Sequence, residues 1–129
     1  MTLSGLNWWA VIAAIVVNMI LGFLWYGPVF GKVWMKLVGK KEDDLPQNFT
    51  IYIIPVLATL FSAIVISFFM KSTGLSGLFT AVISWFGFVA LTTYTNDLFE
   101  GRSAKLWIIN NGYHLVGFIL TGILLDLFG

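Results

Sequence analysis

Apolar residues run through this chain in four blocks, and formally charged side chains fall only between or beside them. Residues 1–31, 45–70, 72–96 and 106–125 hold none. Each block reaches 20 residues or more, enough for a helix rising about 1.5 Å per residue to cross about 30 Å of hydrocarbon. The pattern predicts an all-α fold: an integral-membrane four-helix bundle in one domain over residues 1–129, with spans at about 5–26, 46–70, 75–95 and 104–127. Gly27-Pro28 marks the expected end of the first span, because glycine frees the backbone and proline removes a donor. Asp44-Leu45-Pro46-Gln47 has capping-box spacing and opens the second. Pro55 is expected to kink that helix, leaving the Ile51 carbonyl without its usual partner. Short polar turns separate the last three spans, so neighbouring helices are expected to run antiparallel.

Between the first two spans the period changes. Phe30, Val33, Trp34 and Leu37 recur at i, i+3, i+4 and i+7, and Lys32, Lys36 and Lys40 occupy a second face. This predicts a short amphipathic helix at about 29–38, lying in the membrane interface, with lysines toward anionic headgroups and Trp34 at headgroup level.

Composition sharpens the class. The chain is 59% hydrophobic and only 10% charged, where soluble domains carry roughly a quarter charged residues. Net charge is +1, with the basic residues at span ends rather than in a stripe, so no nucleic-acid partner is expected. The absence of cysteine excludes disulfides, thiol nucleophiles and thiolate metal sites. The N-terminal segment has no basic n-region and its apolar run is too long for an h-region, so it reads as a retained helix. Lys32, Lys36, Lys40, Lys41, Arg102 and Lys105 flank the first and third connections, against Lys71 alone at the second. By the positive-inside rule the first and third connections face the cytoplasm and both termini lie outside. A bacterial inner-membrane location is expected.

The run Asn18-Met-Ile-Leu-Gly22-Phe-Leu-Trp25-Tyr26-Gly-Pro28-Val-Phe30-Gly31-Lys32-Val-Trp34-Met35-Lys36 is the most distinctive stretch. Phe99-Glu100-Gly101-Arg102 and Asn110-Asn111-Gly112-Tyr113-His114 follow downstream. Together these resemble the small bacterial membrane proteins grouped as domain of unknown function 1761, over almost the whole chain. The resemblance implies a four-span membrane protein and carries no activity. Tyr26, Phe30-Gly31-Lys32 and Trp34 after span one are echoed by Tyr94, Phe99-Glu100-Gly101-Arg102 and Trp107 after span three, as a duplicated hairpin would be.

Candidate chemistry rests on polar groups inside the spans, where each is costly unless paired. His114 is the sole histidine, with an ordinary pKa of about 6.5. Asn110 and Asn111 lie four and three residues before it, on one broad face. Ala10, Ala14, Asn18 and Gly22 form a stripe of small residues on span one that lets a neighbour approach, with Met19 and Trp25 beside it. A polar seam of Asn18, Gly22, Asn110, Asn111 and His114 is therefore expected, either as glue between helices or as the lining of a solute or proton path. One histidine with two amides is a poor metal site, and no cofactor is expected. Asp97 and Glu100 are expected to pair with Arg102, and Asp126 to be solvated. Trp8, Trp9, Trp25, Tyr26 and Trp107 fit interfacial belts, whereas Trp85 sits halfway along its span. Thr92, Thr93 and Thr95 are expected to bond back onto their own helix.

The function that fits best is an oligomeric small-solute or ion transport or channel protein, since four helices scarcely enclose a path alone. A structural or accessory protein packing against partners is the alternative. An intramembrane enzyme fits least, because there is no cysteine, no serine paired with a base and no carboxylate pair.

Overall fold

A backbone that crosses hydrocarbon must satisfy its own N–H and C=O groups, and the helix is the local way to do so. The computed structural model describes residues 5–41 and 48–128 and has helices in all four apolar blocks. The spans are Trp8–Val29, Thr50–Thr73, Gly77–Glu100 and Ala104–Phe128, each long and apolar enough to cross a membrane. The protein is a multi-pass membrane bundle.

Span one begins as α1 (Trp8–Leu24), capped by the Asn7 side chain, which accepts from the N–H groups of Trp9 and Ala10 at 3.1 and 3.2 Å. Gly27-Pro28 does not end it. The helix widens into a π-turn over Trp25–Val29, where the Phe30 N–H reaches the Trp25 carbonyl at 2.8 Å. A wider turn gives the proline ring room against the preceding carbonyls and absorbs the missing donor. The amphipathic helix follows as α2 (Gly31–Val38) and ends at Gly39, whose φ of 72° suits glycine. Gly31 is needed at its start, because a Cβ there would lie 2.6 Å from the Tyr26 carbonyl oxygen.

Span two is one helix, α3 (Thr50–Thr73), with Pro55 inside it; the capping box expected at Asp44 to Gln47 lies outside the described residues. Span three comprises α4 (Gly77–Ser84), a second π-turn over Trp85–Ala90, and α5 (Leu91–Glu100). The Ser76 hydroxyl caps its start, accepting from the Phe79 N–H at 3.1 Å. Thr93 and Thr95 donate to the carbonyls of Val89 and Leu91 at 2.7 and 2.8 Å, as threonines inside a span do. Span four is α6 (Ala104–Phe128).

Consecutive spans pack as antiparallel neighbours and span four returns to span one, closing a ring. Helix α6 has the most extensive packing, chiefly with α4 and α1, and also touches α2, α3 and α5. The first and third connections therefore share one end of the bundle.

The two ends differ in packing. At the end holding the second connection, Ala10, Ile66, Ala81 and Leu125 form one buried cluster, while Leu6, Val11 and Ala63 form another. Small side chains let the helices close there. Gly77 and Gly122 bring α4 and α6 into backbone contact, each occupying the space a Cβ on the other would need. Thr80 is buried nearby with no hydrogen-bond partner among the described residues.

Asp126 is exposed, as expected, and that approach also gives it backbone partners. Its carboxylate accepts from the N–H groups of Gly77 and Leu78 at 2.6 and 3.1 Å, because the Gly77–Gly122 contact sets the free N–H groups at the start of α4 beside the end of α6. A carboxylate there also complements the helix dipole. Asn7 donates to the Phe128 carbonyl and Lys71 to the Gly5 carbonyl, tying the same end together. Toward the first connection the bundle loosens, and Ile51, Tyr52, Ile53, Ile54 and Leu57 on α3 are exposed.

The close approach generates a contrast between two glycines. Gly122→Ala is expected to cost about 1–3 kcal/mol by forcing α4 and α6 apart. Gly87→Ala, with nothing within 4 Å of the added carbon, is expected to be neutral or to gain up to about 1 kcal/mol. Thermal unfolding of both variants in detergent, followed by circular dichroism, checks the difference.

Candidate functional site

The polar residues of α6 diverge rather than line one wall. Successive residues of a helix turn by about 100°, so adjacent asparagines face different neighbours. Asn110 faces the aromatic motif: its Oδ1 accepts from the Tyr26 hydroxyl at 2.8 Å and from Trp34 Nε1 at 3.1 Å. Asn111 faces span three, with its Oδ1 2.9 Å from the Thr93 hydroxyl and its Nδ2 donating to the Trp107 carbonyl at 3.1 Å. Thr93 is a node, accepting from Trp107 Nε1 at 3.0 Å while its single proton serves the nearby acceptors.

Two further indoles reach the backbone of the same stretch. Trp25 Nε1 donates to the Ile109 carbonyl at 2.8 Å and Trp85 Nε1 to the Asn111 carbonyl at 3.0 Å. Each of these tryptophans opens a π-turn, one at the end of span one and the other in the middle of span three. Trp25, Tyr26, Trp34 and Trp107 thus make specific bonds in addition to any interfacial role, and Trp85 joins them.

The distinctive motif becomes an aromatic cover on the first half of α6. Tyr26 meets Trp34 and Tyr113 edge-on, with centroids 5.5 and 5.4 Å apart, and Trp25 packs on Phe30 at 4.8 Å. Gly112 admits the Trp25 ring and Gly22 the Tyr113 hydroxyl, a Cβ at either lying 3.3 Å away. Pro28, Lys32 and Lys36 are exposed. The run containing Trp25 to Trp34 and the run Asn110 to Tyr113, distant in sequence, therefore meet. The third run stays local: Arg102 pairs with Glu100 at 2.9 Å, both exposed, and its N–H bonds the Asp97 carbonyl at 2.9 Å, so Asp97 meets Arg102 through backbone alone.

Asn18 is buried midway along span one, as are Ala10 and Ala14 of its stripe. Its Nδ2 donates to the Ala14 carbonyl at 2.8 Å and to Thr121 Oγ1 at 3.1 Å, and Thr121 donates onward to the Gly117 carbonyl at 2.9 Å. Only glycine at 117 leaves room for the Asn18 amide oxygen. This bonded group sits at the floor of a cavity.

The cavity, about 430 Å³, opens among spans one, two and four. Its size falls within the usual range of ligand pockets, about 300–1,000 Å³. Asn18, Gly22, Tyr26 and Phe23 line it from span one; Tyr52, Pro55, Thr59 and Ser62 from span two; Tyr113, His114, Phe118 and Thr121 from span four. It reaches from the first-connection end to mid-span, where the two apolar clusters begin. Of the expected seam, Asn18, Gly22 and His114 share this cavity, whereas Asn110 and Asn111 make their hydrogen bonds elsewhere.

His114 is exposed there, its ring 5.3 Å from that of Tyr113, and its nitrogens bond to no other described residue. The hydroxyls of Ser62 and Tyr52 are likewise unpartnered among the described residues. Sequence reasoning missed the span-two wall, although a signal was present: Ile51, Pro55, Thr59 and Ser62 recur at helical spacing and collect the span's proline and two of its hydroxyls. No group of three or more metal-ligating side chains occurs among the described residues.

The family model described as Protein of unknown function (DUF1761) matches residues 9–125. No curated protein and no solved structure matches the chain.

The Thr93 node predicts an isosteric test. Thr93→Val is expected to leave Trp107 Nε1 unpartnered and Asn111 Oδ1 without its threonine partner, at about 1–3 kcal/mol for an unmade bond. Thr93→Ser should restore most of the loss. Unfolding temperatures of the three proteins in lipid nanodiscs check this, and equal values for valine and threonine would contradict the network.

Proposed function

The chain belongs to the DUF1761 family, and we propose that it is a small-solute transport protein of the bacterial cytoplasmic membrane, acting as an oligomer, with the cavity among spans one, two and four as its solute site. The observation that carries this reading is a cavity that enters from the first-connection end and stops at mid-span against the two buried apolar clusters. It shares no lining residue with a second cavity of about 440 Å³ at the opposite end, beside Gly5, Asn7, Ser67 and Lys71. A cavity that stops at mid-span and presents an unpartnered imidazole is what a carrier holds when open to one side. A structural bundle would gain by closing the cavity, because unpaired polar groups in hydrocarbon are costly.

Six basic residues against one support an open end that faces the cytoplasm. Lys32 and Lys36 are exposed on α2, and with Lys40 they suit the anionic lipid of that leaflet at about 1 kcal/mol each. Oligomerisation accords with the exposed apolar surface of span three, including Phe86, Phe88 and Leu91, although lipid would cover the same surface.

The cysteine-free chain allows a direct test. Ala58→Cys, on the cavity wall, is expected to react with a membrane-impermeant maleimide from the cytoplasmic face in proteoliposomes. During solute turnover it should become reachable from the opposite face, with Lys40→Cys and Ser72→Cys reporting the two sides. Access from one face under every condition would mean a binding site without transport.

A further inference from the structure

The chemistry of the cavity wall restricts its occupant. None of the described lining residues is Asp, Glu, Lys or Arg, so a permanently charged solute would meet no opposite charge from them in surroundings of low polarity. The walls are aliphatic and aromatic, with Met19, Phe23, Ile51, Ile54 and Phe118 among them, and they suit an apolar body. Against them stand three polar groups with no bond to any described residue: the His114 imidazole, the Ser62 hydroxyl and the Tyr52 hydroxyl. Asn18 and Thr121 bond one another, and Tyr26 is engaged by Asn110, so neither cluster needs a ligand.

A neutral imidazole offers one donor and one acceptor, and each hydroxyl offers a donor. The complementary head group supplies at least two acceptor sites and one proton. A carboxylic acid has this set, whereas an ester lacks the proton and a quaternary ammonium lacks both. Charge balance favours the acid as well. If the proton stays on the carboxyl, both partners are neutral; if it passes to an imidazole nitrogen, a carboxylate faces an imidazolium. Either way the pair carries no net charge, which is the condition hydrocarbon imposes.

We propose that the cavity binds a membrane-soluble weak organic acid, its carboxyl at His114 with the Ser62 hydroxyl as a further donor, and its apolar body along Phe23, Ile54 and Phe118 toward Tyr52. Tyr52 lies ten residues before Ser62 on α3, about 15 Å along the helix. This deepens the transport reading by naming its solute class, and it rests on the cavity being the solute site.

The test uses the full chain in lipid nanodiscs and decanoic acid carrying a diazirine near its chain end. Saturable photolabelling is expected on peptides containing Phe23 or Ile54. Unlabelled decanoic acid should compete about tenfold better than methyl decanoate, the ratio for one charge-assisted hydrogen bond, and decyltrimethylammonium should not compete. His114→Phe should weaken labelling about tenfold, while His114→Gln, which keeps a donor and an acceptor, should retain most of it. Ser62→Ala, which leaves the cavity wall intact, gives a second reading if His114→Phe proves unstable. Equal competition by the ammonium, or unchanged labelling in all these variants, would overturn the proposal. Acid binding without two-sided access at Ala58→Cys would remove transport and leave the acid site standing; two-sided access without acid binding would do the reverse.

Discussion

Hydrocarbon offers no hydrogen bonds, and the need to pair polar groups inside it organises this bundle around the first half of span four. Ile109, Asn110 and Asn111 present two backbone carbonyls and two amides within a single turn of helix. Four tryptophans meet them: Trp25 and Trp85 on the carbonyls, Trp34 on the Asn110 amide, and Trp107 through Thr93. An indole suits this task because it joins a large apolar body to one donor. The arrangement links span one, α2 and span three to span four, although span one and span three scarcely touch each other.

Both π-turns belong to this arrangement. Each opens with a tryptophan whose indole reaches span four, and each widens the helix in the same segment. In span one the widening also accommodates Pro28, so the aromatic motif continues off the helix end and folds back over Asn110 and Tyr113. Irregular helix geometry here has an identifiable neighbour to serve, in keeping with the frequent occurrence of π-bulges where a helix presents special side chains.

Residue size divides the bundle along its axis. Alanines and glycines at the second-connection end bring helices into backbone contact, which exploits packing where no hydrophobic driving force separates helix from lipid. Bulky aromatics at the other end hold α6 against span one and α2 but leave α3 apart, and the space between becomes the cavity. Asn18 marks the transition: beyond it Ala14 and Ala10 are fully buried, and before it Gly22 and Phe23 line open volume. A tightly packed stretch and an open one thus follow from which residues each helix carries at each depth.

The sequence by itself determined the four spans and the amphipathic helix, because an uncharged apolar block of sufficient length has only one way to satisfy its backbone in lipid. It also marked Asn18 and His114 as the polar residues to follow, and both line the cavity. It did not determine where the amides point. Asn110 and His114 lie on one helical face by spacing, yet Asn110 is taken by Tyr26 and Trp34, which arrive from more than seventy residues away in sequence. Nor did a polar residue near a helix end announce its partner: Asp126 meets the start of span three only because Gly77 and Gly122 allow the backbones to touch. Helix formation is a matter of local composition and length, whereas the pairing of a side chain depends on which neighbouring helix stands opposite it, and packing alone decides that.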